Sequence, residues 1–242
     1  MMKLSVLTRK WHKWLALVVG VQLLFWTLSG LFMSAVPIEI IKSEHLVKDL
    51  PQQVISPDVN LISVQEAISR VETEGSVVGL EIKTFLDSPV FVIRNTHGEK
   101  RLIDGVTGKK LSPLSKEVAL EVAKRNFKGD ASKAEITLLS EKLLEFRGTY
   151  PVWQVNFNNV EDTTFYISPQ TGKVTAKRGV LWRIYDFLWM LHIMDYKGRT
   201  NFNNWLLIFA AILGFATSIS GLILIRYSFR KRDFNFSKGG NK

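Results

Sequence analysis

Residues 14–36 read WLALVVGVQLLFWTLSGLFMSAV, and residues 201–225 read NFNNWLLIFAAILGFATSISGLILI. The first is 23 residues without a charge, interrupted only by Gln22, Thr27, Ser29 and Ser34. The second is 25 uncharged residues, hydrophobic from Trp205 onward. A helix crossing a hydrocarbon core of ~30 Å needs about 20 apolar residues, so each stretch is long enough to span a membrane. We expect transmembrane helices over 14–36 and 203–225.

Basic tails abut both stretches. Residues 1–13 carry Lys3, Arg9, Lys10 and Lys13 without an acid, and residues 226–242 carry six bases against Asp233. The chain holds 32 Lys and Arg and 22 Asp and Glu; tails of +4 and +5 therefore account for all but +1 of its formal +10. Charge concentrated in this way argues against a nucleic-acid partner. It fits the retention of Lys and Arg on the cytoplasmic side of a membrane. Both tails, 1–13 and 226–242, are then cytoplasmic, and residues 38–200 lie outside, in the periplasm of a bacterium with its helices in the inner membrane. Trp11, Trp14, Trp205 and Tyr196 suit the interfacial belts. A cleaved signal peptide is the competing reading of the first helix. Its apolar run exceeds the usual h-region, and Met33-Ser34-Ala35 puts a bulky residue where cleavage wants a small one. The absence of cysteine removes disulfides, thiol chemistry and cysteine metal sites.

Between the spans, residues 37–60 read as an extended linker with Pro37, Pro51 and Pro57. Ser63-Val64-Gln65-Glu66 has the form of a capping box, opening a helix to about Thr73. Strands are expected over Val77–Phe85, Val90–Asn95 and Arg101–Asp104, rich in β-branched and aromatic residues. The same grammar then repeats: a helix over Ser115–Phe127 with Val118, Ala119, Val122 and Ala123 on one face, then strands over Glu135–Leu144, Val152–Asn158 and Thr163–Ile167. Ser88-Pro89-Val90-Phe91-Val92-Ile93 is similar to Tyr150-Pro151-Val152-Trp153-Gln154-Val155 at an offset of 62, and Thr107-Gly108-Lys109 recurs as Thr171-Gly172-Lys173 at an offset of 64. Two α+β units follow, 61–112 and 114–178; packed together they bury a core that one alone would bury poorly. The run Glu141–Arg147 reads as an exposed strand edge.

These residues resemble PepSY domains, in which a helix precedes a Pro-Val-aromatic strand and a strand ending near Asp-x-x-Thr-Gly-Lys. The first unit keeps Asp104 ahead of its Thr-Gly-Lys, whereas the second has Ser168-Pro169-Gln170 there. The ends are similar to the PepSY-associated transmembrane family: Arg9-Lys10-Trp11-His12-Lys13-Trp14, Leu28-Ser29-Gly30, Leu191-His192, Gly198-Arg199 and Ser220-Gly221. The resemblance covers nearly the whole chain. It implies an α+β membrane protein, two transmembrane helices flanking an extracytoplasmic domain of two PepSY-like repeats. Larger relatives have four membrane helices, some with haem between them, and are linked to iron-siderophore reduction; this chain has two clear spans.

Four histidines are present. His97 falls in a hairpin turn and His45 in the charged linker, both expected exposed. His12 stands at the cytoplasmic mouth of the first span. His192 lies in Val180–Met194, too short to span, which with Trp182, Tyr185, Trp189 and Tyr196 reads as an interfacial helix over 180–196. Asp186, Trp189 and His192 share a face there. His192 and His12 are the candidate axial ligands for haem b, the cofactor the resemblance suggests. They stand at opposite membrane faces and cannot hold one iron, so a haem needs a homodimer or a membrane partner subunit. Gly214, Ser218 and Gly221, with Ala16 and Gly20 on the first helix, offer small-residue stripes for helix packing within the chain or between chains; a haem at a dimer junction would use the former. Gly-rich phosphate loops, HExxH and GxSxG are absent, and we expect no stand-alone enzyme. Two functions remain open: a haem-linked electron-transfer or iron-reduction accessory subunit, or a non-catalytic membrane-tethered module engaging a peptide, a peptidase or a partner subunit.

Overall fold

The computed structural model describes residues 4–51, 54–71 and 76–228. The chain opens with α1 (Leu4–Ala35), α2 (Ile38–Ile41), a 3-10 turn (Glu44–Leu46) and α3 (Val64–Ser69). A sheet follows, β1 (Val77–Phe85), β2 (Ser88–Asn95) and β3 (Lys100–Asp104), then α4 (Lys116–Asn126). The second sheet comprises β4 (Glu135–Leu139), β5 (Val152–Asn156), β6 (Thr164–Ile167) and β7 (Val174–Arg178). The helices α5 (Val180–Ile193) and α6 (Trp205–Ser228) close the described chain. Two compact units result: Pro37–Ile184, and one formed by the segment up to Val36 with that from Tyr185 onward.

In the terminal unit, α1 and α6 are apolar all round beyond the basic ends that carry Arg9, Lys10, Lys13 and Arg226. Leu17, Val18, Val21 and Leu24 on α1, like Phe209, Ile212, Phe215 and Leu222 on α6, are exposed. Such a helix suits hydrocarbon surroundings, with every backbone bond closed within itself. Val6–Ala35 and Trp205–Tyr227 are the two candidate spans among the described residues. Gly214 faces Val19, Leu23 and Trp26, whereas Gly221 faces His12; the contacts run backward along α1 as they run forward along α6, so the two helices pack antiparallel. Asn204 starts α6 by accepting from Leu207 N at 2.8 Å and gives its amide to Ile193 O.

In the other unit the two sheets are antiparallel, ordered β1-β2-β3 and β4-β5-β6-β7. Their registers correspond at the offsets 62 and 64: Phe91 faces Ile103 as Trp153 faces Ile167, and Ile93 faces Arg101 as Val155 faces Phe165. The turns correspond too. Gly108 N bonds Asp104 O as Gly172 N bonds Ser168 O, and Asp104 N bonds Lys109 O as Ser168 N bonds Lys173 O. Both glycines have positive φ, +69° and +65°, the left-handed conformation that glycine enters without a Cβ penalty. β7 has only an isolated bridge, Ile103 with Lys110, as its counterpart. Ala67, Phe91, Ile93 and Ile103 form the first core. Val122, Phe127, Val155, Phe157 and Phe165 form the second, which Phe85 and Leu86 join from β1 and its turn.

Several expectations need correction. The linker over 37–60 is not extended throughout: it holds α2 and the 3-10 turn, and it is pinned by Lys48 N to Asn126 O and Lys128 N to Leu46 O. Ser63 caps α3 through Glu66 N at 3.1 Å, but the Glu66 carboxylate turns to Arg70, so half of the capping box forms. This helix, expected to run to about Thr73, ends at Ser69 with Arg70 as its C-cap; Thr73 itself lies outside the described residues. β4 stops at Leu139, and Glu141–Arg147 is a packed loop, not a strand edge. Phe146 is buried against Tyr166, rings 4.8 Å apart, while the Tyr150 hydroxyl accepts from Leu143 N and donates to Phe146 O. The helix expected over 180–196 ends at Ile193, where Met194 takes positive φ.

Candidate functional site

A helix through hydrocarbon has few polar side chains, so the place where each one goes is informative. Thr27 and Ser34 bond carbonyls of their own helix, Leu23 O and Gly30 O. Ser29 is fully buried. Its hydroxyl proton goes to Phe25 O at 2.7 Å, shared with Trp26 O at 3.1 Å. Its oxygen lies 2.7 Å from His192 Nδ1. With the only hydroxyl proton spent on α1, Ser29 accepts from Nδ1–H, and Nε2 of His192 carries the lone pair. Trp26 Nε1 donates to His192 O at 2.8 Å, and Gln22 donates to Leu191 O at 3.4 Å. Gln22, Trp26 and Ser29 fall at i, i+4 and i+7, one face of α1.

The other end of the helix pair repeats the device. Ser220 gives its proton to Thr217 O at 2.8 Å and lies 2.8 Å from His12 Nδ1. His12 Nε2 therefore carries the lone pair there. Gly221 makes the approach possible, since a Cβ on it would stand 3.3 Å from His12 Cε1.

Asp186 and Trp189 turn to the loop between α5 and α6. Asp186 is buried and pairs with Arg199, and Trp189 Nε1 donates to Arg199 O. Asp195 gathers backbone N–H groups of Asn201, Thr200 and Gly198, which hold its carboxyl down at about 2. The three residues expected on one face thus serve two purposes: His192 engages α1, while the other two fix the loop.

The structure brings His192 and His12 each onto a serine of the facing helix and does not bring them together. His12 and Ser29 are 17 residues apart on α1, about 25 Å along the axis. A six-coordinate haem needs two axial ligands on one iron, so it does not fit within a single chain. A single axial bond from His192 Nε2 fits the donor chemistry, since a neutral imidazole with Nδ1–H held by an oxygen is the metal-binding form. Groups of three or more His, Asp or Glu suited to a metal ion are absent among the described residues. His45 pairs with Glu161 at 3.1 Å, and His97 is exposed in the β2–β3 turn.

Of the two uses expected for the small-residue stripe, the structure shows packing within the chain. Gly214 and Gly221 face α1 of the same chain, Ser218 returns its hydroxyl to Gly214 O, and Gly20 has nothing within 4 Å of its Cβ position. Sequence reading alone misses Ser29, Trp26 and Ser220 as partners. The available signal was the i, i+4, i+7 spacing of Gln22, Trp26 and Ser29 inside an otherwise uncharged span.

A family model described as the PepSY-associated TM region matches residues 9–242. Comparison with curated proteins and with solved structures finds no match.

Proposed function

This chain belongs to the PepSY-associated TM family, and from that premise we propose that it is an accessory membrane protein, an antiparallel helix pair tethering a non-catalytic PepSY module that engages a peptide, a peptidase or a partner subunit. The observation that carries this reading is the use made of the histidines. Both Nδ1 atoms are spent on serines of the facing helix in the same chain, the kind of interhelical hydrogen bond that holds membrane helices together. In this reading residues 61–112 and 114–178 are the two PepSY-like units. The helix over 180–193, with Val180, Ile184 and Phe187 exposed, lies at the outer interface. Both termini are cytoplasmic and residues 38–200 periplasmic, in a bacterial inner membrane, because Arg9, Lys10, Lys13 and Arg226 gather at one end of the helix pair. Cysteines placed at Ser5 and Ser237 would then resist an impermeant thiol reagent in intact cells while one at Thr96 reacts; the reverse pattern inverts the topology.

One observation favours a second reading. His192 Nε2 has no hydrogen-bond partner among the described residues and carries the lone pair, so it is available as an axial ligand where a second subunit, or a second copy in a homodimer, supplies the other. Bound haem b would supply one-electron transfer toward ferric iron or another acceptor. This chain's own part would be to orient the imidazole through Ser29 and to cover it with Trp26, whose ring centroid is 6.4 Å from that of His192. The reduced-minus-oxidised spectrum of detergent-purified protein, from cells fed a haem precursor, separates the two. A colourless chain supports the accessory module. Sharp six-coordinate bands that vanish in His192→Ala and persist in His97→Ala would replace it with the electron-transfer subunit.

A further inference from the structure

Along the antiparallel helix pair, Leu7 and Trp11 on α1 and Ile212, Phe215, Ile219 and Ile223 on α6 line a groove of about 420 Å³. The α6 residues fall at i, i+3, i+7 and i+11, one continuous stripe. From Ile212 to Ile223 the groove runs about 16 Å, about half of a ~30 Å hydrocarbon core, the depth of one leaflet. Polar groups on its wall are few: the Trp11 indole N–H, Thr8, which already has a partner, and Ser220, whose hydroxyl is committed to Thr217 O and His12.

Charge collects at one end of this groove. Arg226 extends the stripe by one further turn and is exposed. Arg9, Lys10 and Lys13, also exposed, stand at the same end of the pair. Neither α1 nor α6 contains an acidic residue. The complement of this surface is a molecule that is apolar over one leaflet's depth and anionic at one end. Its anionic end would meet Arg226, and about 1 kcal/mol of attraction per basic side chain is typical near a charged membrane surface.

We propose that the groove between α1 and α6 binds one acyl chain of an anionic phospholipid, with the lipid phosphate at Arg226. The proposal rests on α1 and α6 spanning the membrane, as the functional reading does. Native mass spectrometry of the delipidated full chain in detergent tests it, with phosphatidylglycerol and phosphatidylcholine of identical acyl chains, and glycerol phosphate alone, as the probes. Phosphatidylglycerol should bind about fivefold more tightly than phosphatidylcholine, and Arg226→Gln should remove that difference. Ala216→Phe, which fills the groove, should lower the retention of both lipids, and glycerol phosphate should not bind. Equal retention of the two lipids, an unchanged preference in Arg226→Gln, or tight binding of glycerol phosphate would overturn it. So would indifference to both lipids, the result expected if a partner's helix is the true occupant. Arg226 is exposed, so that variant decides the question whatever Ala216→Phe does to folding. These results leave the membrane spans standing; a chain that stays monodisperse without detergent would instead sink the spans themselves.

Discussion

The two sheets of the Pro37–Ile184 unit share a register and a turn, and they differ most in how their first two strands are joined. β1 and β2 meet through Leu86 and Asp87 alone, both at positive φ, as a two-residue hairpin requires. β4 and β5 are joined by the much longer loop 140–151. Both connections nevertheless do the same job, each gripping the helix next along the chain. In the first copy, Leu86 packs on the second core and Asp87 pairs with Arg125 of α4. In the second, Glu145 pairs with Arg183 near the start of α5 at 2.8 Å. Arg183 also donates to the Asp162 carbonyl and carboxylate and to Thr164 Oγ1. A repeated unit can therefore diverge in length where its connection must reach, while its strand pairing stays fixed. The core positions diverged more quietly. Arg101 and Phe165 occupy the same register position, yet Arg101 turns to Glu99 and Gln170, whereas Phe165 lies edge-on between Phe127 and Phe157.

That last pair gives the largest expected contrast. Phe165→Ala should cost about 3–5 kcal/mol, and Arg101→Ala about 1 kcal/mol, measured by denaturant unfolding of the full chain in detergent; similar costs would mean that the two copies are not energetically distinct. The turn glycines come next. An Ala at either position adopts a left-handed conformation at about 1–2 kcal/mol. At Gly172 the added methyl would also stand 2.2 Å from the Phe85 ring, whereas at Gly108 its nearest neighbours would be the tip of Ile62 at 3.3 Å and Arg70 at 3.8 Å. Gly172→Ala should therefore destabilise by about 2–5 kcal/mol in all and Gly108→Ala by distinctly less. Equal losses would show that Phe85 steps aside freely.

The smallest effect is one of acidity. Burial pushes the Asp104 carboxyl up, but hydrogen bonds from the Thr107 backbone and hydroxyl and from the Val106 backbone outweigh it and hold the group below its ordinary value. A depressed folded pKa contributes stability that is fully present above the unfolded value of about 3.9 and is lost as the pH falls through the folded one. Hydrogen exchange at Thr107 and Gly108 should accelerate relative to Thr171 and Gly172 as acid is added, because Ser168 in the second turn does not titrate. Asp104→Asn should abolish that difference; a wild-type chain whose two turns respond alike would refute the account.

Much of this architecture was legible in local pattern. The spans follow from uncharged length, and the repeat from paired offsets, because the Thr-Gly-Lys turn needs a glycine at positive φ whatever surrounds it. What local pattern could not show is held by distant partners. β7 is a short, charged run, Val174-Thr175-Ala176-Lys177-Arg178, that is a strand only because β6 lies beside it. The loop containing Glu141–Arg147 looks solvated until Phe146 is seen against Tyr166. His192 and His12 were chosen for their chemistry, but their partners lie 163 and 208 residues away, beyond any periodicity.

Those separations also bear on how the protein is made. Ser29 leaves the ribosome 163 residues before His192. At a synthesis rate of about 5–20 residues per second, it waits roughly 8–30 s for its partner. Through that interval the hydroxyl is not exposed as a lone polar group, because Phe25 O and Trp26 O of its own helix accept its proton. The first helix is thus complete before any neighbour arrives, and the histidine contact joins a finished helix rather than rescuing a defective one.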